Sequence, residues 1–234
     1  MDYDKIGRIF FPVHCPICDR AQPEGQRICP ECAGIPRIVQ PPRCLKCSKH
    51  INTPGEIYCY DCLRNPGEYD RGFSLFEYQS IHDSISAFKN LGRPEYGEYY
   101  GRILGEHYRE EIRKIKPDAL LPIPLHEKKY RIRGYNQAEI LAREIGKVTG
   151  FPVVNDFLLR PNVTKVQKEL GRLERRNNMK KAFHIAENDV KLKTVILVDD
   201  IYTTGSTIGA AAAVLKTVGV ETIYFITLAT GRGY

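Results

Sequence analysis

The stretch Val195-Ile-Leu-Val-Asp-Asp-Ile-Tyr-Thr-Thr-Gly-Ser-Thr207 constrains this chain more than any other. Four apolar residues in a row suit a strand buried on both faces of a parallel sheet. Asp199 and Asp200 then fall at the strand's carboxyl end, where open α/β sheets bind ligands. Thr203, Thr204, Gly205, Ser206 and Thr207 turn the chain into a helix. Small residues let a ligand approach the backbone, and hydroxyls with free N–H groups at a helix start cradle a phosphate. Two carboxylates repel that phosphate, so they suit the hydroxyls of a sugar attached to it. The expected ligand is a sugar phosphate with vicinal hydroxyls. A plain helix cap needs one Ser, Thr, Asp or Asn, which leaves both acids and the run of hydroxyls unexplained.

The string resembles, at every position, the 5-phosphoribosyl-1-pyrophosphate (PRPP) signature of the type I phosphoribosyltransferase family. The resemblance implies that Asp199 and Asp200 hold the ribose hydroxyls and that residues 203–207 hold the 5-phosphate. PRPP would arrive with its Mg²⁺. No G-x-x-x-x-G-K-[ST] loop, no G-x-G-x-x-G after a strand, no Ser-centred elbow and no H-E-x-x-H helix competes with this reading.

The second constraint is the placement of cysteine. All eight lie between Cys15 and Cys62, as four C-x-x-C pairs: Cys15/Cys18, Cys29/Cys32, Cys44/Cys47 and Cys59/Cys62. The start of the chain is charged, and Phe10-Phe11-Pro12-Val13 is too short for a signal-peptide core. No apolar run approaches a membrane span. A cytoplasmic protein with no membrane segment is expected, and there thiols stay reduced. Zinc then explains the spacing, because a two-residue gap points both thiolates at one tetrahedral ion. Two structural zinc ions in sequential four-cysteine sites are the preferred arrangement, with an interleaved one left open. The turn-rich Arg64-Asn65-Pro66-Gly67 marks a boundary, giving a zinc module over 1–68 and a larger domain over 69–234.

The formal charge of +7 falls to about +3 once two zinc ions and eight thiolates are counted. Much of the basic balance sits in 160–181, with eight Lys or Arg against two acids. In the larger domain, strands are expected near Phe73–Tyr78, Ala119–Leu125, Val153–Val154, Ala182–Ile185, 195–198 and Thr222–Leu228. Helices are expected over Ile81–Lys89, Glu95–Lys114, Asn136–Thr149 and Thr207–Val218. This alternation predicts an α/β fold, a doubly wound parallel sheet with helices on both faces, preceded by the small zinc-ribbon module.

Cleaving the C1–pyrophosphate bond of PRPP needs positive charge at the leaving group and exclusion of water. Two basic segments are suitable. Pro122–Gln137 carries Lys128, Lys129, Arg131 and Arg133 after a strand. Asn162–Lys181 carries Lys165, Arg172, Arg175 and Arg176, and its length suits a lid over pyrophosphate. A guanidinium grips phosphate through two bonds, so Arg133 and Arg176 lead the set and Arg176 joins the aspartates as a catalytic candidate. His126 is a minor diphosphate candidate, whereas Tyr135 and His184 are expected to be structural.

Together with the cysteine pairs, Ala87-Phe-Lys-Asn-Leu-Gly-Arg93, Leu121-Pro-Ile-Pro-Leu125, Arg133-Gly-Tyr-Asn-Gln137 and Glu174-Arg-Arg-Asn177 resemble the ComF-type competence proteins, also called amidophosphoribosyltransferase-like proteins. That resemblance implies a role in natural DNA uptake, with phosphoribose transferred from PRPP to an unidentified acceptor. No nucleobase hood is recognisable, which counts against base salvage. The alternative is a non-catalytic factor that binds PRPP or single-stranded DNA. A zinc-dependent docking module on a degenerate enzyme fold fits less well, because the signature is intact. Weak single-stranded DNA binding and a competence-machinery protein docked on the zinc module are the other expected partners.

Overall fold

A computed structural model describes residues 13–23, 25–160, 183–186 and 190–231. Four parallel strands form the central sheet in the order β1-β6-β5-β2. They are β1 (Arg71–Glu77), β2 (Ala119–Pro122), β5 (Thr194–Tyr202) and β6 (Thr222–Thr230). Two-residue strands β3 (Leu158–Leu159) and β4 (His184–Ile185) pair antiparallel beside it.

The alternation of side chains along β5 explains its apolar run. Val195 and Leu197 enter one core, with Ile208, Ala211 and Leu215 of the helix α7 (Ser206–Thr217). Ile196 and Val198 enter the opposite core, with Tyr96, Tyr100 and Leu104 of α3 (Pro94–His107) and Leu141 and Ile145 of α6 (Gln137–Thr149). All four are fully buried. Asn136 caps α6 by accepting from the Ala138 N–H, and left-handed Gly150 ends it. Gly101 lets α3 and α6 touch backbone to backbone. A Cβ there would lie 2.6 Å from Cβ of Glu144 and 3.0 Å from the Leu141 carbonyl oxygen.

Several elements differ from the sequence reading. The second helical stretch is two helices, α3 and α4 (Arg109–Ile115), separated at Tyr108, whose buried hydroxyl donates to the Ser74 carbonyl. Val153 contributes a single bridge to Leu120. The β5 strand continues through both aspartates to Tyr202. The expected basic loop after β2 contains α5 (Glu127–Arg133), capped by His126 and ended by left-handed Gly134. Two further helices are α1 (Tyr60–Arg64) and α2 (His82–Asn90). Among the described residues, no helix is long and apolar enough to cross a membrane.

The cysteines gather as two sequential groups, Cys15/Cys18/Cys29/Cys32 and Cys44/Cys47/Cys59/Cys62, each with its sulfurs within 4.8 Å of one another. Zinc at ~2.3 Å from four thiolates implies sulfur separations of about 3.8 Å. Cys18–Cys29 at 3.6 Å and Cys47–Cys59 at 3.5 Å fit that geometry, which favours the sequential arrangement over the interleaved one. The two sites are embedded differently. The first packs in its own small cluster with Ile17 and Ile28. The second shares the core of the sheet with Tyr69, Tyr202 and Phe225. Its ribbon also covers the edge of β1, where the Val39 N–H donates to the Leu75 carbonyl and the Gly72 N–H to the Lys46 carbonyl, leaving less open edge for mispairing.

Candidate phosphoribosyl site

The carboxyl ends of β5 and β2 open into a cleft of about 170 Å³. Asp199 and Asp200 lie in it, facing Lys89, Lys129, Arg133, Asn136, Arg160 and Thr207. Asp199 Oδ1 accepts the Asp200 backbone N–H at 2.8 Å, and Asp200 Oδ2 meets Lys89 Nζ at 2.8 Å. Burial pushes the Asp199 carboxyl up to about 7, and the Asp200 charge adds to the rise. The Asp200 N–H, Lys89 and Arg160 act against it. The cleft thus holds two acids on its floor and four cationic side chains around its wall.

Beyond the acids, Thr203 and Thr204 are exposed, and Thr204 and Ser206 hydroxyls lie 2.7 Å apart. Gly205 caps α7 with φ +77. The first-turn N–H groups of α7 lack helical acceptors, so the loop offers amides and hydroxyls together. Its conformation is set from below. A Cβ at Gly205 would lie 2.5 Å from the Tyr202 hydroxyl oxygen. That hydroxyl is 2.7 Å from the Tyr69 hydroxyl, and the Tyr202 ring stacks on Phe225 with centroids 4.8 Å apart. Lys49, almost fully buried, bonds Asp61 at 2.6 Å and lies 5.6 Å from the Tyr202 ring centroid. The second zinc ribbon therefore forms part of the support of the 203–207 loop.

Of the basic residues singled out from the sequence, Arg133 lines the cleft and donates to Gln137 Oε1 at 2.5 Å. Arg131 is not among the lining residues. It pairs with Glu127 on the exposed face of α5, one helical turn away. This follows from α5 itself, because Arg131 and Arg133 cannot share a helix face at a spacing of two. His126 is occupied as the cap, accepting from the Lys128 N–H, and the Tyr135 hydroxyl donates to the Phe88 carbonyl. Lys165, Arg172, Arg175 and Arg176 lie outside the described residues, as does the lid expected over Asn162–Lys181.

Sequence reasoning missed two cleft residues. Lys89 stood inside the quoted Ala87–Arg93 motif without a role, and Arg160 was counted only as charge. A second cavity, about 270 Å³, lies between the ribbon and the ends of β1 and β6. His50, Asn52, Glu77, Gln79 and Thr230 line it.

Comparison with known proteins agrees with this architecture. A double zinc ribbon domain family matches residues 6–63, and a phosphoribosyl transferase domain family matches 99–234. Competence protein F of Haemophilus influenzae is 30% identical over 199 residues, covering 82% of this chain and 86% of that protein. DNA utilization protein YhgH of Escherichia coli O157:H7 is 27% identical over 213 residues, covering 89% and 86%. Competence protein ComFC of Bacillus subtilis is 26% identical over 204 residues, covering 86% and 70%. The chain belongs to the phosphoribosyl transferase domain family and carries an amino-terminal double zinc ribbon.

Proposed function

We propose that the protein binds PRPP with Mg²⁺ and transfers its phosphoribosyl group to an acceptor, in the service of DNA uptake or use. The observation that carries this reading is the order at the carboxyl end of β5: a partly buried and a buried acid, then an exposed hydroxyl-rich loop at a helix start, with cations opposite. Asp199 and Asp200 accept the ribose hydroxyls. Residues 203–207 bind the 5-phosphate through amides and hydroxyls. Arg133, with Lys129 and Arg160, faces the pyrophosphate. Lys165, Arg172, Arg175 and Arg176 complete the proposed leaving-group set; the position of Arg131 on the outer face of α5 removes it from that set. Mg²⁺, when bound with PRPP, would neutralise part of the pyrophosphate charge, which the oxygen-rich cleft tolerates.

Transfer breaks the bond between C1 and the pyrophosphate oxygen and forms a bond from C1 to the acceptor, which loses a proton. The protein's own contribution is to orient the ribose and to stabilise charge on the departing pyrophosphate. We assign this activity to the cytoplasm, a reading supported by the C-x-x-C pairs, which suit thiolates kept reduced for a metal. The DNA link rests on the names borne by the relatives.

Incubating the protein with labelled PRPP, Mg²⁺ and a cell extract, and following pyrophosphate release, tests the reading. Release that disappears in Asp199→Asn/Asp200→Asn supports transfer. PRPP binding with no release under any extract would favour the second reading, a non-catalytic PRPP- or single-stranded-DNA-binding factor.

A further inference from the structure

We infer that Lys89 is a positioning residue for the acid pair, fixing Asp200 so that the two carboxylates together present a matched pair of acceptors to a ribose diol. The inference rests on the PRPP reading of the cleft. Among the described residues, each carboxylate has one oxygen committed within the protein. Asp199 Oδ1 takes the Asp200 N–H, and Asp200 Oδ2 takes the Lys89 ammonium. One further oxygen on each remains for a ligand hydroxyl, which is the count that vicinal hydroxyls require.

The placement of Lys89 is itself fixed. Its neighbour Phe88 is fully buried, and the Phe88 carbonyl accepts from the Tyr135 hydroxyl and from Gln137 Nε2 at 3.5 Å. The Phe88 and Tyr135 rings stack at 6.0 Å. The end of α2 is therefore tied to the same 133–137 segment that brings Arg133 to the cleft. The Lys89 side chain is 25% exposed and that of Asp200 12%, so the pair is shielded enough for a charge-assisted bond to hold geometry. The other cations on the cleft do not replace it. Arg133 is bonded to Gln137, and Lys129 and Arg160 are exposed. Lys89 also lies between the two matched family segments, 6–63 and 99–234, so the connecting segment supplies it.

The test separates the ribose from the leaving group. PRPP with Mg²⁺, ribose 5-phosphate and inorganic pyrophosphate are titrated calorimetrically into the full-length protein and into Lys89→Met, Lys89→Arg, Asp200→Asn and the Lys89→Met/Asp200→Asn double variant. Lys89→Met should weaken ribose 5-phosphate about tenfold, the loss of one charge-assisted constraint. It should leave pyrophosphate affinity within about twofold. Lys89→Arg should recover most of the loss, which a merely packed side chain would not do. Lys89→Met should add little in the Asp200→Asn background, because contacting residues couple. Unchanged ribose 5-phosphate affinity in Lys89→Met, or a loss confined to pyrophosphate, would overturn the inference while leaving the PRPP reading intact. Failure of the wild type to bind PRPP overturns both.

Discussion

Replacing Gly205 with alanine should destabilise the protein more than an ordinary left-handed glycine substitution, because the strain and the clash fall on one atom. The residue has φ +77, and a Cβ would lie 2.5 Å from the Tyr202 hydroxyl oxygen and 3.0 Å from Cζ. The left-handed backbone costs a non-glycine residue about 1–2 kcal/mol. Tyr202 cannot swing away freely, since its hydroxyl is bonded to Tyr69 and its ring is stacked on Phe225. Forcing an extra carbon against such a side chain costs roughly 1–3 kcal/mol. The sum is about 2–5 kcal/mol, a large share of an ordinary domain's stability. Gly219→Ala is the control, with φ +88 and nothing within 4 Å of its Cβ. It should lose only the backbone term. Urea unfolding of both variants, with PRPP titrations alongside, separates the two contributions. Adding Tyr202→Phe to Gly205→Ala should recover part of the extra loss by removing the nearest atom. Gly205→Ala and Gly219→Ala differing by less than about 0.5 kcal/mol would refute the claim that Tyr202 fixes the loop.

Three further outcomes are expected. The Asp199 carboxyl is raised from 3.8 to about 7 in the fold, so its contribution to stability is full below pH 4 and is lost as pH rises through 7. Asp199→Asn should therefore be more stable than wild type at pH 8, by at least about 1 kcal/mol, and melt higher, while binding PRPP less well; a lower melting point would contradict the sign. Cys29→Ser should lower zinc from two ions to one and leave the sheet folded, whereas Cys47→Ser should lower zinc and destabilise the sheet core it shares; metal analysis with thermal melting checks both, and equal effects on the sheet would count against the shared core. Single-stranded DNA should bind weakly and lose affinity steeply with salt, as phosphate-led binding does; a salt-insensitive oligonucleotide titration would point instead to a base-reading zinc module.

Local patterns carried most of the site. The four apolar residues before Asp199 suited a strand covered on both faces, which β5 is, and the hydroxyl-rich turn after it was equally explicit. Cysteine spacing gave the zinc groups but left their pairing open, which only the folded distances settle. The α5 helix had readable signals that the basic composition obscured: a capping His126, an i,i+4 pair Glu127/Arg131 and a closing Gly134. Lys89 and the ribbon's place beneath Tyr202 had no such signal. Both depend on contacts far apart in sequence, Lys89 with Asp200 and Tyr69 with Tyr202, and no periodicity or motif encodes a partner more than 100 residues away.

The central claim is that Asp199, Asp200 and the 203–207 loop form a PRPP site. Calorimetric titration of PRPP with Mg²⁺ into wild type and into Asp199→Asn/Asp200→Asn, with ATP as the competing nucleotide, tests it most directly. Saturable PRPP binding that exceeds ATP binding and is largely lost in the folded double variant is the expected result. Equal PRPP affinity in both proteins would contradict it.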